Sequence, residues 1–204
     1  MDINDIVKGG DERITLNENG LNKYHGNPLI YESVFNRGSC TMSNLNVDSK
    51  RAVDKMLKKL EKEDYDKLLN EQQNQLKKLI DVDSSNEFDI FYAPSGSDLC
   101  YYPIMFSRII NPNQKIFSVV TCPEELGTGS NTAIKGEYFF GTNQFEENVV
   151  KNDVIHKEIT IDQKAFSARD DQGNILNHKT EILEIIERKS MDNQVIANLV
   201  IGSK

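Results

Sequence analysis

Residues 88–121, FDIFYAPSGSDLCYYPIMFSRIINPNQKIFSVVT, decide the fold class. Phe88, Ile90 and Tyr92 form a strand-length apolar run that Pro94 stops. Ser95-Gly96-Ser97-Asp98 then supplies small, cap-forming residues where a helix begins. Apolar residues at helical period follow at Leu99, Tyr102, Ile104, Met105, Phe106, Ile109 and Ile110, and Asn111-Pro112-Asn113 ends them. Lys115–Thr121 is a second β-rich run. The order strand, helix, strand predicts an α/β fold with a mostly parallel sheet, flanking helices and a right-handed crossover. In such folds the turn before the helix binds anions, because free backbone N–H groups and the helix dipole point there. The expectation is a phosphate-bearing ligand at Ser95, Gly96 and Ser97.

Composition narrows what surrounds this unit. The 204 residues suffice for one α/β domain with a core, and 38% hydrophobic and 27% charged residues are ordinary for a globular chain. A net charge of −8 argues against nucleic acid or an anionic membrane as the main partner, since both select for a basic patch. No apolar run approaches the roughly 20 residues of a membrane span, and MDINDIVKGGDERI lacks the apolar core of a signal peptide. Cys40, Cys100 and Cys122 are odd in number and widely spaced, which predicts reduced thiols and a cytoplasmic protein.

Four segments follow from the pattern: 1–46, 47–80, 86–140, which holds the strand–helix–strand unit, and 150–204. Residues 1–46 are turn-rich and read as an irregular arm that wraps a domain or crosses a partner subunit; residues 47–204 read as the α/β domain. Within it, residues 47–80 carry helical periodicity through Val53, Leu57, Leu60, Leu68, Leu76 and Ile80. Further on, Val154–Ile161 reads as β-rich, Asp170–Asn174 as a turn, Thr180–Lys189 as a helix and Val195–Ile201 as a strand. Gly202-Ser203-Lys204 then begins the loop where a doubly wound fold places its ligand. The expectation is a domain truncated at its C-terminus, or one completed by a partner chain or a second copy, because the last strand otherwise leaves an exposed sheet edge.

Taken together, GGDERI, NKYHGNP, RGSCTMSN, PSGSDL at a helix start, TCPEELGTGSNTA after the next strand and a late strand ending in GSK resemble the fold type I pyridoxal-phosphate enzymes, specifically the aminotransferase class V and cysteine desulfurase group. The likeness covers most of the chain, in detail only residues 88–135, and its motifs are weak singly. It implies an incomplete large domain of that fold, homodimeric, with pyridoxal 5'-phosphate as cofactor and an amino-group substrate. The implied function is the phosphate-binding half of a transaminase, desulfurase or lyase. By the same resemblance Ser95, Gly96 and Ser97 hold the phosphate, while Glu124, Glu125 and Thr128 border the ring or substrate. The sequence departs from the family at the ring-stacking position, where Glu124 and Glu125 cannot stack. The family's nitrogen-pairing aspartate lies on a strand beyond this chain. Lys204 sits in a GSK sequence like that around the Schiff-base lysine, but one β-α unit too early for it. The alternative is a non-catalytic phosphate-ligand-binding module, or an inactive fragment of such an enzyme.

Other constellations carry less. Ser95, Ser97, His25, His156 and His178 can be drawn as a triad, yet no G-x-S-x-G elbow is present and no Cys/His spacing suggests a metal. Gly127-Thr128-Gly129-Ser130 reads equally as a phosphate-cradling loop or as a turn before a short helix. Asn22-Lys23-Tyr24-His25 reads as a family-like active-site run or as plain turn chemistry.

Overall fold

A computed structural model describes residues 16–27, 46–80, 89–145 and 147–200. The chain divides into two units, residues 1–90 and 91–204.

In the first unit the helical periodicity resolves into two helices, α1 (Val47–Leu60) and α2 (Tyr65–Leu79). Both begin on side-chain caps: Asn46 accepts from the Ser49 amide at 2.7 Å and Asp64 from the Asp66 amide at 3.0 Å. Asp64 is why one periodic stretch becomes two helices, since a β-region cap restarts the chain in a new direction. Lys59 pairs with Glu71 at 2.9 Å, and Gln72 meets the Met56 sulfur at 3.9 Å. Residues later in α2 thus face residues earlier in α1, as in an antiparallel hairpin.

The second unit is α/β. Three strands, β1 (Lys115–Thr121), β2 (Ile161–Phe166) and β3 (Asn193–Asn198), form a parallel sheet in the order β2-β1-β3. Ile116 lies opposite Ile161 on one side and Gln194 on the other. A strand buried on both faces reads as a continuous apolar run, and Ile116, Phe117, Ser118, Val119 and Val120 are all at most 5% exposed. One face of β1 packs Phe117 and Val119 with Phe166, Val195 and Ile182, Ile185 and Ile186 of α6 (Lys179–Ser190). The other face carries Ile116, Ser118 and Val120; the buried Ser118 hydroxyl is satisfied by the Asn198 side chain at 2.9 Å.

Three expectations are corrected here. The described part of the first apolar run, residues 89–93, forms no strand; Phe88 lies outside the described residues. Both edges of β1 are occupied by β2 and β3, so no parallel place remains beside it. Phe91 instead packs edge-on against Tyr102 and Phe106, and the Tyr102 hydroxyl donates to the Tyr92 carbonyl. Next, the helix expected to run on from Ser95 breaks after one turn. Short α3 (Gly96–Leu99) is followed by α4 (Tyr102–Ile110), whose first turn holds Pro103. Proline has no N–H to continue the ladder and is tolerated only where a helix begins. Finally, Val154–Ile161 is not a strand as a whole. Val154 makes an isolated bridge to Glu137, the Ile159 amide turns back onto the His156 carbonyl at 3.0 Å, and pairing begins at Ile161.

The later elements lie where the sequence places them. Asp170 accepts from the Gln172 and Asn174 amides at 2.9 and 2.8 Å, with Gly173 at φ 85°. The helix expected over Thr180–Lys189 is α6, and β3 overlaps the last expected strand, whose Ile201 lies outside the described residues. No helix among the described residues is long and apolar enough to cross a membrane.

Candidate functional site

In a parallel sheet the ligand end is the carboxyl end of the strands, and here the three segments leaving the sheet are tied together. After β1 the backbone turns sharply at Cys122, which is left-handed at φ 47°, ψ 54°. A non-glycine residue there costs about 1–3 kcal/mol and persists only where its surroundings impose it. The Cys122 amide donates to the Phe166 carbonyl at 2.9 Å, at the end of β2. The turn carries Pro123–Glu125 into a short 3-10 helix, where Glu124 accepts from the Ala168 amide at 2.6 Å. Backbone amides around it hold the Glu124 carboxyl below its ordinary value. On the far side of β1, Thr121 Oγ1 accepts from the Val200 amide at 2.8 Å.

The chain then enters α5 (Thr128–Ala133), whose N-cap is Gly127 and which has no capping side chain. Here the two small-residue segments of the sequence meet, 33 positions apart. Ser97 and Ser130 share a hydrogen bond, Oγ to Oγ, at 3.2 Å. Gly129 packs so closely that a Cβ on it would lie 2.8 Å from Ser97 Oγ and 3.4 Å from the Phe139 ring. Around Gly96 and Gly127, by contrast, a Cβ would meet no atom within 4 Å. A Cβ at 129 would therefore displace the Ser97 hydroxyl, while 96 and 127 leave backbone open to a visiting group.

The expected site residues do different things. Ser95 caps α3: its hydroxyl accepts from the Asp98 amide at 3.2 Å and donates to the Asp98 carboxylate at 2.6 Å. Gly96 and Ser97 fill the first turn of α3, where amides lack intrahelical acceptors. Because α3 is one turn long, hydroxyls and amides, and not a summed dipole, are what it offers an anion. Thr128 opens α5, exposed; Glu125 is half-buried, and Glu124 is engaged with the chain after β2. Lys204 lies outside the described residues.

Cys100 and Cys122 are free thiols, and Cys40 lies outside the described residues. Burial pushes the Cys100 thiol up, a hydrogen bond with Ser130 opposes this, and the Asp98 charge adds to the rise. The rise lowers its thiolate fraction, the form that acts as a nucleophile. His178 sits between the Ser167 carbonyl at 3.1 Å and the Glu181 carboxylate at 3.4 Å, and His156 accepts from the Glu158 amide at 3.3 Å. Both are engaged locally. Asn22 takes the Tyr24 and Gly26 amides on its side-chain oxygen, which is turn chemistry, with His25 at φ 61°. Among the described residues no group of three or more His, Cys, Asp or Glu could hold a metal ion.

Sequence reasoning missed the strained Cys122, the Glu124 and Thr121 ties, and the Ser97–Ser130 pairing. It also passed over an aromatic cavity beside Asp98, whose signal was the run Tyr138-Phe139-Phe140 with Phe145. The site is thus defined as the carboxyl end of a 2-1-3 parallel sheet with a small-residue cup beside it. No family model matches the chain, and neither a curated protein nor a solved structure does.

Proposed function

We propose that the cup formed by Gly96, Ser97, Thr128 and Ser130 binds a phosphate monoester, and that the ligand is pyridoxal 5'-phosphate in an enzyme acting on an amino-group substrate. The observation that carries the reading is the meeting of two small-residue segments, through Ser97 and Ser130 at 3.2 Å, beside the carboxyl end of β1. The phosphate end fits what is present: two adjacent hydroxyls, first-turn amides and open space before Gly96 and Gly127. Phosphate oxygens accept hydrogen bonds only, and this cup is rich in donors. The ring end fits less well, since Glu124 is tied to the Ala168 amide and offers no stacking face. When bound, the cofactor supplies an electron sink, and the protein supplies binding, orientation and electrostatics. Here Ser97 and Ser130 hold the phosphate, Gly129 keeps the two segments in contact, and Glu124 fixes the loop that borders the ligand. The nitrogen-pairing aspartate and the Schiff-base lysine of the family are not assigned, so the proposal covers the phosphate-binding half of the chemistry.

The test is titration of the 204-residue chain with pyridoxal 5'-phosphate and with inorganic phosphate, followed by calorimetry and visible absorbance. Gly96→Val adds a branched side chain into open space, so the variant folds while the approach to the backbone closes. The expected result is an affinity loss of at least about tenfold, or about 1.4 kcal/mol. Unchanged affinity in Gly96→Val, or no saturable binding by the parent chain, overturns the assignment. Borohydride treatment and mass spectrometry extend the test: stoichiometric covalent cofactor on Lys204, lost in Lys204→Ala, would assign the Schiff-base role to that lysine.

A further inference from the structure

Next to the phosphate cup, but distinct from it, lies a cavity of about 190 Å³ with a different chemistry. Tyr101, Phe139, Phe140, Phe145 and Met105 supply its apolar and aromatic wall. Of the described residues that line it, Asp98 alone carries a formal charge. We propose that this cavity binds a small molecule through a methylated ammonium group, held by the aromatic faces and the Asp98 carboxylate.

The wall is built and not incidental. The Tyr101 hydroxyl donates to the Glu137 carbonyl at 2.7 Å, which fixes the ring, and the ring stacks on Phe139 at 6.0 Å and 26°. Burial first, and the Asp98 charge in the same direction, push the Tyr101 phenol up to about 12. It stays neutral at physiological pH and presents a ring to the cavity. Phe145 sits on a turn that Asn143 organises: its side-chain oxygen accepts from the Phe145 and Glu147 amides at 3.0 Å each, and its nitrogen donates to Glu147 at 2.7 Å. Those bonds engage the Asn143 amide within its own turn.

Three facts together choose the occupant. Aromatic faces attract cations, most strongly those with a low cost of desolvation, and methylated ammonium groups meet that condition. Within the cavity the Asp98 carboxylate, which takes the Ser95 hydroxyl on one oxygen, has no cationic side chain beside it in the lining and favours positive charge there. The volume falls below the roughly 300 Å³ at which drug-sized ligand sites begin, so it admits a headgroup and little more. Phe140 at 43% exposure and Phe145 at 73% leave aromatic surface in water that such a headgroup would cover.

The proposal does not depend on the phosphate reading, and its test uses different probes. The full chain is titrated by calorimetry with choline and with 3,3-dimethylbutanol, the neutral isostere of the same shape. Choline is expected to bind saturably and about tenfold more tightly than the alcohol, one desolvated cation–π contact being of that order. Phe139→Leu keeps apolar bulk and removes the ring, and Asp98→Asn keeps shape and removes charge; each is expected to weaken choline about tenfold or more and to leave the alcohol unchanged. Equal binding of choline and the alcohol would show a plain apolar pocket and overturn the proposal. So would the absence of saturable choline binding, or a folded Asp98→Asn chain that binds choline as the parent does. The isostere comparison uses the parent chain, so it decides even if both variants misfold.

Discussion

Two apolar runs frame the cup, and they meet different fates. Residues 115–121 become the central strand, with five consecutive side chains withdrawn from water. The described residues of the other run, 89–93, pair with no strand, and Phe91 is 56% exposed. Local propensity does not separate them, since both are rich in β-branched or aromatic residues. Pairing does. The first run finds a partner on each edge, and the second finds both edges of the sheet's centre already taken. The consequence reaches the site. The turn at Ser95 is not aimed by a strand of its own, as in an ordinary β-α-β unit; it is aimed by contact with Gly129 and Ser130.

If that account is right, the largest effect comes from cutting into the paired run. Ile116 is 2% exposed, and Ile116→Ala removes its buried methyl and methylene groups and leaves a cavity on its face of the sheet. Such a change costs about 2–5 kcal/mol. Denaturant unfolding of the two chains measures it. A loss below about 1 kcal/mol would mean the sheet is not the centre of the core, and the comparison would fail at its stronger half.

A smaller effect sharpens the contrast on the side of the aromatic cavity. Burial raises the Tyr101 phenol from its ordinary value near 10 to about 12. A raised folded value means that the protein favours the protonated form. That contribution to stability is complete below about pH 10 and lost as pH rises through about 12. Ultraviolet titration should show one tyrosine ionising about two units late, absent in Tyr101→Phe, whose stability should be flatter between pH 10 and 12. A late tyrosine that persists in Tyr101→Phe would locate the buried phenol elsewhere.

Much of this was legible in the sequence, and all but one of the failures share a physical cause. α6, the Asp170 turn, β1 and the helical character of residues 47–80 follow from period, caps and glycine, all of which act within a few residues. The parallel, helix-flanked class follows from alternation of elements. What escaped depends on residues distant in sequence. The neighbours that β1 takes, β2 and β3, lie some 70 and 100 positions after residues 89–93. Pro103, which splits the helix after Leu99, is the exception, because its effect is local and legible in the sequence. At the site, the small-residue character of both segments was visible, but their meeting was not. The bond between Ser95 and Asp98 lies within one capping turn and is local, whereas the tie of Glu124 to the amide of Ala168, 44 positions on, is not legible in the sequence.

The smallest effect tests the weaker run directly. Phe91 meets Phe106 at 5.3 Å and Tyr102 at 6.3 Å, both edge-on, with more than half its surface in water. Edge-to-face pairs add about 0.5–1.5 kcal/mol beyond area when buried, and exposure places this cluster at the low end. Phe91→Ala should therefore cost about 1 kcal/mol, well short of Ile116→Ala. A double-mutant cycle with Phe106→Ala isolates the ring pair, since the two side chains touch and their effects should not add. A coupling of a few tenths of a kcal/mol fits a surface cluster that only steadies the approach to Ser95. A cost for Phe91→Ala equal to that of Ile116→Ala would place residues 89–93 in the core after all, and the turn at Ser95 would then owe its position to its own chain and not to Gly129.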